Sequence, residues 1–383
     1  MSLVYTKEKH IMKRLIIFIL IIIAGAIIYL VLSKTNILKR NFLPADKISL
    51  TESSKTLLED IPLVSVVADN LSVPWALAFL PDNRLLVTER NGAIKLIDGE
   101  TISTIKKINV RQDGESGLHG IAVDPEFASN NYIYVYYTYQ VNGQNTVNRV
   151  SRFRFFDDIL TDETILVDNI PGGRIHDGGR IKFGPDGYLY ITTGDAAKPS
   201  LSQDTTSLAG KILRVDRNGT FAPDNPFGSA VYSYGHRNPQ GIAWDSKNQL
   251  FETEHGSSAA DEFNKIERGG NYGWPVITGD QTGTNMIAPL LQSGSKTWAP
   301  AGLAYVNGKF YFGGLRGSAL FEAEQVNGKF KLTEHFKGEF GRIREVIIGR
   351  DNMLYITTSN RDGRGIPSNG DDKILRINPE KLE

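Results

Sequence analysis

A short theme recurs six times along the chain and restricts the fold more than any other feature. It is a turn carrying Asp or Asn with Gly, joined to an alternating apolar stretch. It stands as FLPDNRLLVTERNGAIKLID at 79–98, AVDPEFASNNYIYVYYTY at 122–139, KFGPDGYLYITTGD at 182–195 and AWDSKNQLFETEHG at 243–256. Weaker copies are YVNGKFYFGGLRGSALFEAE at 305–324 and IIGRDNMLYITTSN at 347–360. Measured from Asp82, Asp124, Asp186, Asp245, Asn307 and Asp351, the spacings are 42, 62, 59, 62 and 44. Alternation such as Tyr188-Leu189-Tyr190-Ile191-Thr192 has the two-residue strand period, and the bounding PDG and NG elements are hairpin signals. No long amphipathic helix follows residue 60. Six β units of roughly fifty residues predict an all-β fold, a six-bladed β-propeller of four-stranded blades. A generic sandwich with coincidental turns is the plainer alternative. A propeller encloses a central channel, and the loops at one mouth are the natural place for a ligand.

This body is expected over residues 61–383. Ahead of it, Leu15 to Leu32 is a run of 18 residues without a charge, about the shortest helix that spans a bilayer. A short basic segment, 1–14, precedes it, and a polar tether, 33–60, follows. The run is longer than the apolar part of a cleaved signal and lacks an Ala-x-Ala site. We therefore expect a single transmembrane anchor; basic residues on both sides specify its orientation only weakly. The propeller is expected on the extracytoplasmic side of the cell membrane partly from the family resemblance described below, with cleavage leaving it secreted or periplasmic. The 43 basic and 43 acidic residues cancel, which argues against a nucleic-acid partner. Cysteine is absent, so disulfides and thiolate metal sites are excluded.

Polar groups concentrate in a few loops. In Gly172-Gly173-Arg174-Ile175-His176-Asp177-Gly178-Gly179-Arg180, a histidine lies among four glycines, which let a ligand approach the backbone closely. Such a histidine suits a general base at neutral pH, or a simple turn contact. Tyr234-Gly235-His236-Arg237-Asn238-Pro239-Gln240-Gly241 offers an arginine fork suited to carboxylates or a developing oxyanion. It could equally close a blade through a salt bridge. The acidic, carbonyl-rich stretch 254–264 suits Ca²⁺, which takes oxygen ligands, although it lacks EF-hand spacing. In Gly341-Arg342-Ile343-Arg344-Glu345, the strand period puts Arg342 and Arg344 on one face. Their repulsion calls for an anion: a multi-carboxylate ligand, or an acid such as Glu345 or Asp372.

In their order, GESGLHGIAVDPEF, HDGGRIKFGPDGYLYITTGD, GHRNPQGIAW and DEFNKIERGGNYGWP resemble the soluble quinoprotein glucose/sorbosone dehydrogenase family, nearest its bacterial aldose sugar dehydrogenase branch. The resemblance covers roughly 62–379 and implies pyrroloquinoline quinone (PQQ) and Ca²⁺ as cofactors. It implies oxidation of a sugar at C1 to a lactone, with electrons passing to an unidentified acceptor. By this resemblance His176 is the catalytic base and Asp195 orients it. Arg237 stands beside the quinone oxygens, with Asn238 a neighbouring cofactor contact and Glu115 near PQQ. Gly256 and Ser257 supply carbonyls to the Ca²⁺ that grips PQQ, while Asp261, Glu262 and Tyr272 form a second, structural Ca²⁺ site. Arg316, Arg342 and Arg344 meet PQQ carboxylates.

The chain departs from the family pattern at four places. Ser257 replaces a frequent Pro, Ile175 replaces an acidic residue, His119 stands where an apolar residue is usual, and Trp298 is only a candidate for the aromatic that covers PQQ. Two other readings stay open: a Ca²⁺-dependent lactonase, and a non-catalytic surface propeller binding carbohydrate or protein.

Overall fold

The computed structural model describes residues 61–143 and 145–382. Segments 1–14, 15–32 and 33–60 lie outside the described residues, and the membrane anchor expected at 15–32 lies with them. Among the described residues, no helix is long and apolar enough to cross a membrane.

Six four-stranded antiparallel sheets make up the body, as the repeats predict. The innermost strands of blades one to six are Pro74–Phe79, Leu118–Val123, Ile181–Phe183, Pro239–Trp244, Pro300–Val306 and Ile343–Ile348. Blades one to five each run outward through four consecutive strands. Blade six takes its outermost strand, Val64–Ala68, from the start of the body, paired with Ile374–Ile377. That pairing ties the two ends of the body together and closes the ring.

The alternation seen in the sequence has a direct packing consequence. Every sheet is covered on both faces by its neighbours, so both side-chain sets of a strand are apolar. In the second strand of blade two, Ile133, Val135 and Tyr137 pack toward blade one, while Tyr134 and Tyr136 pack toward blade three. The described core consists of six such clusters, one at each blade-to-blade interface.

The recurrent Asp and Asn residues mark the turn that follows each inner strand. Asp82, Asp124, Asp186, Asp245 and Asp351 each accept a backbone N–H two residues ahead, closing an Asx turn. The inner strands therefore all begin at one mouth of the channel and end in these turns at the other.

Candidate active site

The glycine-rich run before the inner strand of blade three places His176 at the first mouth. His176 has a φ of 63°, in the left-handed region that L residues seldom adopt. Neighbouring contacts hold it there. Its N–H donates to Glu115 Oε2 at 3.1 Å, and its carbonyl accepts the Ala196 N–H at 3.1 Å. Gly194 passes so near that a Cβ there would sit 1.9 Å from the His176 carbonyl oxygen, so only glycine fits. His176 Nδ1 lies 2.7 Å from Asp195 Oδ1. Asp195 is fully buried, and its other oxygen accepts the Trp274 indole N–H at 2.9 Å. A carboxylate so placed keeps the proton on Nδ1 and leaves Nε2 as a lone pair. Among the described residues, Nε2 has no hydrogen-bond partner.

Arg237 faces the same region from blade four. Its guanidinium lies over Trp274, 5.2 Å from the ring centroid, and donates to the carbonyls of His255 and Ser257. The backbone N–H of Arg237 is tied to Glu254 at 2.7 Å. Burial lowers the affinity of the Arg237 guanidinium for its proton, against the pull of Asp195 and Glu254.

Beside this pair lies a narrow cleft of about 30 Å³, bordered by Arg90, Glu115, Asp177, His255, Arg344 and Arg364 among others. Glu115 pairs with Arg364 at 2.7 Å. Although burial opposes ionisation, His255, Arg364 and the His176 N–H hold the Glu115 carboxyl down to about 2. Burial and the neighbouring guanidiniums of Arg342 and Arg90 pull Arg344 down to about 10, against Asp362. Burial raises Asp177 to about 6. Four guanidiniums, those of Arg90, Arg342, Arg344 and Arg364, thus gather around the two carboxylates of Glu115 and Asp362. Arg90 Nε, Arg237 Nε, His119 Nδ1 and Asp177 Oδ2 are buried without a partner. A surplus of cations with unspent donors, beside a histidine with a free Nε2, suits carboxylate groups and a hydroxyl substrate at this rim. The recess itself, at about 30 Å³, has room for a water or two and not for a whole cofactor.

The sequence pattern of the Glucose / Sorbosone dehydrogenase family matches residues 71–375. The chain belongs to the glucose/sorbosone dehydrogenase family. The PQQ-bound form of aldose sugar dehydrogenase from Streptomyces coelicolor is 41% identical, with a TM-score of 0.77, over 82% of this chain and 98% of that one. A structure from Thermus thermophilus is 44% identical, with a TM-score of 0.78 over the same shares. The aldose sugar dehydrogenase YliI of Escherichia coli K12 is 32% identical over 82% of this chain and 92% of its own length. Members of this family are oxidoreductases, and this chain is one.

The structure brings His176, Asp195, Glu115, Arg237 and Arg344 together, with Ser257 against Arg237 and Arg342 sharing Asp362 with Arg344, while Asn238, Arg316, Asp261, Glu262 and Tyr272 are placed differently. Asn238 is buried behind the cleft, where its oxygen braces Gly178 N–H and Gln240 between blades three and four. Arg316 is exposed and lines a neighbouring cavity rather than the cleft. The anion between Arg342 and Arg344 is Asp362, at 2.8 and 3.2 Å, and neither Glu345 nor Asp372. Glu345 follows Arg344 directly, so the strand period turns it to the opposite face, where Arg180 takes it. Asp372 instead accepts the N–H groups of Val73 and Asn360. Trp298 is packed against Phe312 and Phe321 in the core between blades four and five; the aromatic at the site is Trp274.

The expected metal residues separate into two groups. Ser257 presents its carbonyl to Arg237, as His255 does, while the Gly256 N–H is tied to Asp261 Oδ1. Asp261 is spent on tying its loop, accepting the N–H groups of Gly256, Trp298 and Ala299 and the Thr297 hydroxyl. The Tyr272 hydroxyl donates to Lys265 O and accepts the Glu267 N–H. Glu262 joins a buried cluster that the sequence reading missed. His236, Glu252 and Glu254 offer ligand atoms within 4.8 Å of one another. The Asn264 amide donates to Glu252, Glu254 and Glu262 together. Burial and the Glu254 charge raise Glu252 well above its ordinary value and push Glu262 up to about 8. Glu252 Oε1 and Asn264 Oδ1 have no partner. A cation fits this donor set, because it would satisfy both orphan oxygens and the crowded charge.

Proposed function

We propose that this chain oxidises aldose sugars at C1 to lactones, using PQQ and Ca²⁺, and passes the electrons to a separate acceptor. The observation that carries the reading is the free Nε2 of His176, backed by buried Asp195 and set beside an arginine-ringed cleft. Arg90, Arg344 and Arg364 would hold the carboxylates of PQQ, which supplies the hydride-accepting quinone when bound. The carbonyls of Gly256 and Ser257 are suited to a Ca²⁺ at that cofactor, and the cluster of Glu252, Glu254, Glu262 and Asn264 to a structural one.

His176 Nε2 takes the proton of the anomeric hydroxyl. Asp195 stabilises the imidazolium that results, and the Trp274 indole fixes Asp195 in place. Arg237 stabilises negative charge that develops near it. Residues 15–32 are read as a membrane anchor that presents the propeller outside the cytoplasm. The test is a titration of the full chain with PQQ, with Ca²⁺ or a chelator present, followed by an aldose panel with a dye acceptor. Saturable, Ca²⁺-dependent PQQ binding with sugar-dependent dye bleaching is expected. Folded protein that leaves PQQ unbound at micromolar concentration would overturn the reading.

A further inference from the structure

The inner strands that open the catalytic cleft at one mouth enclose a second cavity at the other, of about 460 Å³. Its wall takes one large side chain from the end of each inner strand: Phe79, Val123, Phe183, Trp244, Tyr305 and Ile348. Four of the six are aromatic. The cleft is lined by Trp75, His119, Gln240 and Arg344 and this cavity by Leu77, Ile121, Ala243 and Glu345, so the two linings are only one to three positions apart along each of these inner strands.

The floor of this cavity is charged. Arg180, Lys182 and Glu345 line it, and no other carboxylate does. Arg180 Nη1 pairs with Glu345, Nε donates to Gln240 O, and Nη2 is buried without a partner. Lys182 Nζ donates to Ile242 O and Leu303 O, both at 3.1 Å. An ammonium has three donors, so one proton of Lys182 is unspent. Two cations against one carboxylate leave a net charge of plus one. As a strut between blades, Lys182 would explain the two carbonyl contacts; it would explain neither the orphan Arg180 donor nor the unbalanced charge.

We propose that this second mouth binds an amphiphilic monocarboxylate, a molecule with one carboxylate head and an aromatic or aliphatic body. The carboxylate would take the unspent donors of Arg180 and Lys182 and balance their charge. The body would lie against the aromatic wall. A cationic amphiphile of the same shape would be rejected by the same floor.

The probe is 2-naphthoate, titrated calorimetrically into the full chain. One saturable site per chain is expected, with 2-naphthylmethylammonium not binding. Lys182→Met should weaken binding at least tenfold, the loss of one charge-assisted hydrogen bond. Because Lys182 also braces two carbonyls, a second pair of variants acts at the half-exposed Tyr305. Tyr305→Glu should weaken naphthoate binding and Tyr305→Lys should not. Naphthoate competed off by PQQ would belong to the catalytic cleft, and the proposal would fall. It would equally fall if naphthoate and the ammonium bound alike, if neither saturated below millimolar, or if folded Lys182→Met and Tyr305→Glu kept full affinity.

Discussion

The two ends of the inner strands are built from one repeat and treat their polar groups in opposite ways. At the far end, the Asx turns close on themselves, with each turn carboxylate accepting local backbone N–H groups. At the catalytic end, His176 is held in the left-handed region, and four buried side-chain atoms lack partners. Seven such orphan atoms occur among the described residues. Three are on residues lining the cleft and one is on Arg237 beside it, two are in the acid cluster of blade four, and the last is Arg180 Nη2 in the floor of the second cavity; none is in a turn. The difference teaches that the turns carry stability, whereas the first mouth withholds satisfied hydrogen bonds from the fold so that a ligand can take them.

The sharpest test of this contrast is His176→Ala. Turnover should fall roughly 10²–10⁴-fold, the usual worth of a positioned general base. PQQ binding should hold, while the melting temperature should fall modestly, because the variant also removes the Nδ1 bond to buried Asp195. Retained turnover would remove His176 from the chemistry. Next in size is Asp362→Asn. Arg342 and Arg344 are 9% and 7% exposed and share the Asp362 carboxylate. Without it the two cations are buried unpaired, which costs about 3–5 kcal/mol. Denaturant unfolding should show this loss, and added PQQ should recover more stability in the variant than in the wild type. Equal recovery would mean that the arginines do not face the cofactor.

The far end was the more legible of the two in the sequence, and the reason is physical. Asp82, Asp124, Asp186, Asp245, Asn307 and Asp351 are local signals: each turn is decided within five residues, and all six follow inner strands as read. The His176–Asp195 pair was legible only through the family's motifs, since the two meet across 19 residues of chain. Period-two reasoning correctly put Arg342 and Arg344 on one face, yet it could not select their partner. Asp362 lies 18 residues beyond Arg344, in the loop after the next strand. Arg364 was missed for the same reason, although its run Arg361-Asp362-Gly363-Arg364-Gly365 carried the signal of cations among glycines already used for His176. The cluster around Asn264 was hidden because its register, Glu252 opposite Asn264 and Glu254 opposite Glu262, exists only once the strands pair.

A smaller effect separates the mouths by pH. Asp177 borders the cleft, and burial raises its carboxyl to about 6 from an ordinary 3.8. Between about pH 4 and 6 the folded chain therefore keeps a proton that the unfolded chain has released. Stability from this group is present at low pH and is lost as pH rises through that window, by about 3 kcal/mol. Asp177→Asn should remove that slope, so wild type and variant should diverge between pH 4 and 6 and run parallel above. Parallel curves throughout would mean that the Asp177 carboxyl titrates as in the unfolded chain.

The smallest predicted change lies at the far end. Asp245 Oδ1 accepts the N–H groups of Lys247 and Gln249, both at 2.8 Å, in the turn after Trp244. Asp245→Ala removes both local bonds, but water reaches this half-exposed turn and replaces part of them. The loss should be about 1 kcal/mol, read as a lower denaturant midpoint with an unchanged slope. Turnover and KM should stay at wild-type values, since the inner strand of blade four keeps its pairing between this turn and the cleft. A turnover defect from this change alone would show that the turns position the catalytic mouth through the strands, and the division of labour between the two ends would not hold.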